Sequence, residues 1–553
     1  MNPTLSLLTI STILVSCGGK TDDEGICDDT EFFAEDRVLQ VAITMDDGDW
    51  DSLRHQSRSI PGEFVGDCRS GPYKGDYTYF PATIDIDGES ASDIGIRKKG
   101  FIGSQSTEKP GFRINLDEYV DDTKLYCTDN ITLNNSVQDP ALIRQCLTYK
   151  VFRDAGLPAP RCNFARVSMN GKDLGIYVNV EPVKKRFLRQ HFSDDDGDLY
   201  EGTITDFAPD WYSTFDVKTD ETDATLSTIR EVADAIDAGT DDLETILRRH
   251  FDFERLLTFL SAETWTGHWD GYGGNQNNFF VYRDPETDKM TFIPWGVDGT
   301  MHPEEYWFPT KGYLANQILR DEALSKQWYD KIGDLRSSAW IAEDLQAEIN
   351  RMESVLATEF DTSVIEEALN EVRQFVDERE RTIKAVLPVT EVDDFGRPFC
   401  MVERGFIDAE FSTTWTSEAP NLETMLATEG TTIDMSFDGA TIDFDAAGAH
   451  AGPVEDGFGQ VVMAGAFEGE NGPAYALPVF YFEIEEVEPG SEIGLDWGGG
   501  SLLYMDETTG WEPINVGEFW NGAAHFDAAS PVEAEAVTGF LTSGIYTWTE
   551  VDG

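Results

Sequence analysis

The sequence predicts an α+β chain that ends in an all-β part, and three changes of pattern along it carry that prediction. From Arg37 to about Leu125, apolar and polar residues alternate between glycine-containing turns, as in "YFPATIDIDG" and "FRINLDEY". That is the period of half-buried strands. Beyond Glu181 the apolar residues recur at helical spacing. From about Val389 alternation returns in "TTIDMSFDGATIDFD", "PVFYFEIEEVEPG" and "GIYTWTEV", which predicts a C-terminal antiparallel β-sandwich. A chain of 553 residues exceeds one ordinary core, so several domains are expected.

The apolar run Leu5 to Val15 is too short to span a bilayer and reads as a signal sequence. Leu14-Val15-Ser16-Cys17 follows it and resembles the bacterial lipobox, although no Lys or Arg precedes the run. Residues 1–17 are therefore expected to be a lipoprotein signal peptide, with lipidation at Cys17, and 18–35 an acidic tether. The implied location is the bacterial cell envelope, exported and lipid-anchored, periplasmic or on the outer surface. Export also gives Cys27, Cys68, Cys127, Cys146, Cys162 and Cys400 an oxidising compartment. Their spacings fit no zinc motif, so disulfides are expected, without a choice among pairings. No cysteine follows Cys400, so the β-rich tail reads as separable from what precedes it.

Residues 36–130 form the predicted β-rich part. "DPALIRQCLTYKVFRDAG" then reads as a helix: Asp139 suits the N-cap, Pro140 the first position and Gly156 the stop. Ile143, Leu147 and Val151 face its core. "CNFARVSMNGKDLGIYVNVE" is a hairpin turning at Asn170-Gly171. Within 131–388, amphipathic faces follow at Leu226, Ile229, Val232, Ala233 and Ile236, then at Phe253, Leu256, Leu257 and Leu260. A second hairpin is expected from Phe279–Tyr282 and Met290–Pro294, with helices near 321–333, 340–357 and 364–386. Residues 389–553 complete the chain. A small sheet part, one helix, a hairpin and a helical part match the bilobal plan of kinase-like folds, an order many α+β proteins share.

A formal charge of −63 argues against nucleic acid as a partner, because phosphate binding needs a basic footprint. The seven histidines show no ligand spacing, and no Gly-x-Ser-x-Gly elbow supports serine hydrolysis. "SDDDGD" lacks the glycine position and distal glutamate of a calcium loop, and reads as a solvated turn.

The chemistry concentrates in "HWDGYGGNQNNFFVYRDPETDKMTFIPWGVDGTM". Asp, Asn and Gly are ordinary turn residues. Here, however, Asp270 and Asp298 stand at the two ends of one hairpin, where both can face a divalent metal that holds a phosphate-bearing ligand. Together with "IGIRKKG…KPGFRINLDEY", "DPALIRQCLTYKVFRDAGLPAPR" and "VSMNGKDLGIYVNVEPVKKRFL", the hairpin closely resembles the spore-coat-protein-H (CotH) kinase family over roughly residues 40 to 390.

The resemblance implies an atypical protein-kinase-like bilobal domain, ATP and Mg²⁺ as cofactors, and exported proteins as substrates. Phosphoryl transfer needs a positioned nucleophile, a metal and cations around the phosphates. The implied roles are Asp270 as the catalytic residue and Asp298 as a metal ligand. Asn275 stands at the Asp-x-x-x-x-Asn spacing of a catalytic loop, with Asn277 and Asn278 as rival metal ligands. The family's Pro-Trp-Asp-x-Asp is Pro-Trp-Gly-Val-Asp here, with Gly296 in the first Asp position. The competing reading is therefore an inactive surface scaffold whose sandwich binds a partner or a glycan. Lys98, Lys99, Lys109 and Arg113 surround the turn "KGFIGS"; Lys109 and then Arg113 are the first choices for phosphate. Arg144 is placed to pair with Asp298 or phosphate, and Glu181 to touch the nucleotide.

Overall fold

A computed structural model describes residues 29–550, apart from 74, 76, 220–225, 240, 304–307, 391, 393, 397–398, 456 and 496–498. Cys17, the signal segment 1–17 and most of the tether lie outside the described residues.

The first β-rich region closes into a barrel of seven strands: β1 (Val38–Met45), β2 (Phe80–Ile86), β3 (Glu89–Lys99), β4 (Gly111–Asn115), β5 (Asn130–Asn134), β6 (Cys162–Met169) and β7 (Lys172–Val180). Their order is β1-β2-β3-β4-β5-β7-β6, and parallel pairing of β1 with β6 shuts the ring. Ile43, Ile84, Ile96, Phe112, Leu133 and Val167 fill the interior. The β6–β7 hairpin turns at Asn170 and Gly171, both at positive φ (49° and 80°), as a primed two-residue turn requires. The division expected at 130/131 therefore falls inside the barrel. Without β5–β7, β1 and β4 would be open edges, and closure removes them.

Helices α1 (Asp47–His55) and α2 (Ile60–Phe64) lie between β1 and β2, and α3 (Arg144–Asp154) lies between β5 and β6. The expected helix start at Pro140 is corrected. Leu142 sits at φ 64°, off the helical path, so the helix begins two residues later. Asp139 still acts as a local acceptor, taking the Ala141 amide at 3.1 Å and the Arg144 amide at 2.7 Å.

The helical region comprises α4 (Lys185–His191), α5 (Ser227–Ala238), α6 (Leu243–His250), α7 (Phe253–Thr266), α8 (Tyr272–Asn275), α9 (Tyr313–Arg320), α10 (Glu322–Leu335), α11 (Ala342–Leu356) and α12 (Glu366–Val386). Four strands pack within it, β8 (Asp198–Gly202), β9 (Asp216–Val217), β10 (Phe279–Asp284) and β11 (Lys289–Pro294), in the order β11-β10-β8-β9. Phe207, Phe251, Phe259, Tyr272, Phe279 and Phe292 make its aromatic centre. Among the described residues, no helix is long and apolar enough to cross a membrane.

The C-terminal region is one ten-stranded antiparallel sheet, where two packed sheets were expected. It curls until the edge strand Ala446–Glu455 meets the end of Phe399–Thr414 at the bridge between Trp415 and Ala451. Phe411, Phe480, Phe482, Phe519 and Phe526 fill the concave side. The long strands Ile514–Ala528 and Ala536–Glu550 pair with register shifts near Trp520 and Phe526. Such irregularities bend a strand and let one sheet cover its own face.

Two disulfides join described residues, Cys68–Cys400 and Cys146–Cys162, and Cys127 is also disulfide-bonded. The first corrects the separability of the tail. Cys400 lies in the sheet's own first strand and ties it to the segment after α2.

Candidate functional site

The β10–β11 hairpin forms as expected, with Phe279 opposite Pro294, so its open end brings both flanking turns together. On one side, α7 ends at Gly267 in the left-handed conformation (φ 63°) and the chain turns into His268-Trp269-Asp270. On the other, β11 runs into a short 3₁₀ turn, Val297–Gly299, that carries Asp298 and packs against α3.

Asp270 is held by all three rival asparagines. Asn275 Nδ2 donates to its Oδ1 at 2.7 Å, Asn277 Nδ2 at 3.2 Å, and Asn278 Nδ2 donates to its Oδ2 at 2.6 Å and to its carbonyl at 3.1 Å. Burial pushes its carboxyl up to about 6; the three amides oppose the shift, and the charge of Asp298 adds to it. Asp298 is in the opposite state. Only 5% exposed, it leaves Oδ2 buried with no hydrogen-bond partner among the described residues. Tyr149 and Gln145, on the α3 face behind the turn, lie against each other, and Tyr149 also reaches the backbone at Gly296.

A carboxylate oxygen left bare in a buried site is costly unless a cation or donor arrives. Mg²⁺ takes one or two protein carboxylates and keeps its remaining positions for water and phosphate oxygens. The orphaned Oδ2 fits that demand, although no cluster of three or more His, Cys, Asp or Glu suited to a metal occurs among the described residues. Asn275, Asn277 and Asn278 all turn their amide nitrogens toward Asp270, so this hydrogen bonding singles out none of the three as a metal ligand. Gly296, at φ 50°, explains how Asn278 fits. A Cβ built there would lie 2.2 Å from Asn278 Oδ1. The asparagine side chain occupies the space that any side chain at 296 would need.

The cations are arranged differently from the sequence ranking. Lys99, at the end of β3, lies with Nζ 5.9 Å from the Trp295 ring centre. Burial lowers its pKa, and the charges of Asp298 and Glu201 act against that. Lys99, and not the expected Lys109, is the lysine on which the charge of Asp298 acts. Lys109 sits over the Tyr177 ring at 5.1 Å, and burial brings it down to about 8, with Asp139 opposing. Arg113 stands opposite Arg97 on the neighbouring strand, and its charge acts on Lys99. Lys98 is structural: its Nζ donates to the carbonyls of Arg54 at 2.7 Å and Gln56 at 2.6 Å.

Two expectations are corrected. Arg144 is fully buried and ion-paired with Asp139 at 3.2 Å and Glu371 at 3.0 Å, so its charge is engaged at the start of α3. Glu181 is buried against Arg161, whose Nη2 meets Glu181 Oε1 at 2.5 Å while Asp29 takes the same guanidinium at 2.7 Å. Both oxygens of Glu181 accept from Arg161, so its carboxylate is committed to that ion pair.

Sequence reasoning missed the groups that hold the Asp270 loop. Glu263, buried in α7, accepts the amides of Tyr272 at 2.7 Å and Gly273 at 3.0 Å. Burial pushes it up to about 8. Asp206 accepts Tyr272 OH at 2.9 Å and the Tyr313 amide at 2.7 Å, and burial pushes it up to about 7. Burial holds His268 neutral, down to about 3. A charged residue inside the apolar run "LLTFLSAETW" was the available signal for Glu263.

With this geometry in place, a family model and curated relatives indicate one family. The family model described as CotH kinase protein matches residues 89–385. The chain is 28% identical over 189 residues to the inner spore coat protein H of Bacillus subtilis, covering 31% of this chain and 49% of that protein. It is 25% identical over 215 residues to invasin CotH7 of Rhizopus delemar, covering 33% and 35%. The chain thus spans half or less of the length of these curated relatives. Among solved structures, the Helicobacter pylori proinflammatory kinase CtkA aligns at 12% identity with a TM-score of 0.25, over 53% of this chain and 96% of that one.

Proposed function

The chain belongs to the CotH kinase protein family, and on that premise we propose that it transfers the γ-phosphoryl group of ATP to hydroxyls of exported proteins. The barrel would serve as the nucleotide lobe and the helical region as the catalytic lobe of a bilobal kinase-like body. The observation that carries the reading is the contrast at the hairpin: Asp270 fixed by three amides beside Asp298 with a bare buried oxygen.

Asp270 orients the acceptor hydroxyl and takes its proton, a task suited to a carboxylate raised to about 6. Asp298 would hold Mg²⁺, with an amide oxygen of Asn275, Asn277 or Asn278 as a further ligand. When bound, the metal neutralises charge on the phosphate oxygens. Lys99 faces that charge, and Arg113 and Lys109 line its approach. Lipidation at Cys17 would anchor the protein in the bacterial envelope. The disulfides Cys68–Cys400 and Cys146–Cys162 support an oxidising compartment. The test is incorporation of labelled phosphate from ATP with Mg²⁺ by purified protein, lost on Asp270→Asn.

Gly296 favours a second reading, an inactive scaffold, because one family carboxylate is absent and its space is filled by Asn278. Melting without any shift on adding ATP and Mg²⁺ would support that reading, since selective binding to the native state must raise the melting temperature.

A further inference from the structure

The C-terminal sheet reaches both walls of the site. On the barrel side, Cys400 is bonded to Cys68, Met401 pairs with Val65, and the Gly66 amide donates to Met401 O at 3.0 Å. Ile60, Phe64, Met401, Trp520 and Tyr546 form one buried cluster, and Phe101 and Ile102 of the glycine-bearing turn pack against it. Arg58, just before α2, grips the same turn. Its guanidinium lies 4.4 Å from the Phe101 ring centre, and its backbone exchanges two 2.7 Å hydrogen bonds with the Gln105 side chain. This turn follows directly on Lys99.

On the helical side, the segment entering the sheet lies against the Asp270 loop. Gln276 Nε2 donates to Gly396 O at 3.1 Å and to Lys311 O at 2.8 Å, and the Gly396 amide donates to the same Lys311 carbonyl at 2.9 Å. Phe395 packs edge-on against Tyr313 at 4.9 Å. A Cβ at Gly396 would lie 2.7 Å from Gln276 Nε2. Gln276 itself is in the left-handed conformation (φ 49°), one residue before Asn277.

Interfaces between domains of one chain move by default unless something fixes them. A disulfide spanning 332 residues is such a fixture, because it keeps the two surfaces at high effective concentration. We propose that the C-terminal sheet is a working part of the site: Phe395 and Gly396 are positioning residues that hold the loop carrying Asp270, and Cys400 and Met401 are positioning residues that set the Gly100–Gly103 turn after Lys99. This rests on the kinase reading for its catalytic consequence, though not for its structural one.

The test uses the full chain in two variants, Cys68→Ser with Cys400→Ser, and Gly396→Val. Hydrogen exchange without nucleotide is read over residues 98–106 and 268–278, alongside kcat and KM for ATP. The paired cysteine variant should exchange faster over 98–106 and raise KM for ATP about three- to tenfold with a smaller change in kcat. That is inside the roughly hundredfold cost of a 1 Å misplacement. Gly396→Val should exchange faster over 268–278 and lower kcat. Unchanged exchange in both segments, in variants that melt cooperatively, overturns the proposal. If the cysteine variant does not fold, the Gly396→Val result decides alone. Absence of ATP turnover in the unaltered protein sinks the kinase reading instead, while exchange still decides whether the sheet positions the loops.

Discussion

Of the two aspartates at the ends of the β10–β11 hairpin, Asp298 is near enough for its charge to act on Asp270, yet the chain treats them in opposite ways. Asp270 is saturated: three amides donate to it, and Glu263 and Asp206 brace the loop beneath it. Asp298 is left with an oxygen that is bare among the described residues, on a turn braced by the Thr148–Thr300 hydroxyl pair at 2.6 Å and by the Met301 amide on Thr266 O at 3.0 Å. A group that must keep one orientation through a reaction is best served by many fixed donors. A group that must receive a cation is best served by none. The difference in hydrogen bonding therefore assigns the roles more sharply than the residue type, which is the same in both.

The largest expected effect breaks the comparison at Asp298. Asp298→Asn removes the charge a cation needs, so ATP-Mg²⁺ affinity and turnover should fall together, with turnover down by about 10³-fold or more. The apo protein should not lose stability, because the substitution removes an unpartnered buried charge. Calorimetric titration and melting curves check both halves. A variant that binds ATP-Mg²⁺ normally would return Asp298 to the status of a turn residue.

Next is Asp270→Asn. It keeps the shape and loses the base, so kcat should fall roughly 10²–10⁴-fold while nucleotide affinity stays close to that of the unaltered protein. Phosphate-incorporation rates and calorimetry separate the two quantities. An unchanged kcat would remove Asp270 from the chemistry.

Gly296→Asp sharpens the comparison by restoring the family's residue. Aspartate tolerates positive φ better than most side chains, but its carboxylate must evict Asn278 from the space it occupies. Asp270 then loses a donor and gains a neighbouring negative charge, and both raise its pKa further. The acidic limb of the pH–rate profile should move upward from about 6 by about one pH unit. A limb that does not move would mean that Asn278 contributes nothing to Asp270.

Much of this was legible in the sequence because short-range rules governed it. The Asn170-Gly171 hairpin, the β10–β11 hairpin and the three late helices follow from turn chemistry and periodicity. Barrel closure was hidden, because it depends on the pairing of β1 with β6, residues more than a hundred positions apart, which no local pattern records. The role of Arg144 was hidden for the same reason, since its partner Glu371 lies far away in sequence; that of Glu181 was hidden because its partner Arg161 is shared with the equally distant Asp29. Lys99 and Lys109 sit on the same short stretch, and only the path of β3 decides which of them faces Asp298.

The smallest effect concerns pH, and it tests whether the Asp270 loop alone is braced by titrating groups. Glu263 rises from 4.5 to about 8 and Asp206 from 3.8 to about 7, both because burial disfavours the charged form. The folded chain therefore holds more protons than the unfolded chain between about pH 4 and 8. Stability must fall as pH rises through that window, by up to about 1.4 kcal/mol per pH unit for each such group. Glu263→Gln carries a neutral side chain at every pH, so it removes one of these two contributions while keeping an acceptor for the Tyr272 amide. Its melting temperature should depend less steeply on pH between 6 and 8 than that of the unaltered protein, and the two curves should converge only as the pH falls toward the unfolded value of 4.5. Hydrogen exchange over 268–278 should slow on acidification by more than the intrinsic pH effect, whereas exchange over 297–300, with no titrating brace, should follow the intrinsic effect alone. Parallel melting curves for the two proteins would show that Glu263 does not change its protonation on folding, and the bracing of the Asp270 loop would then rest on Asp206 and packing.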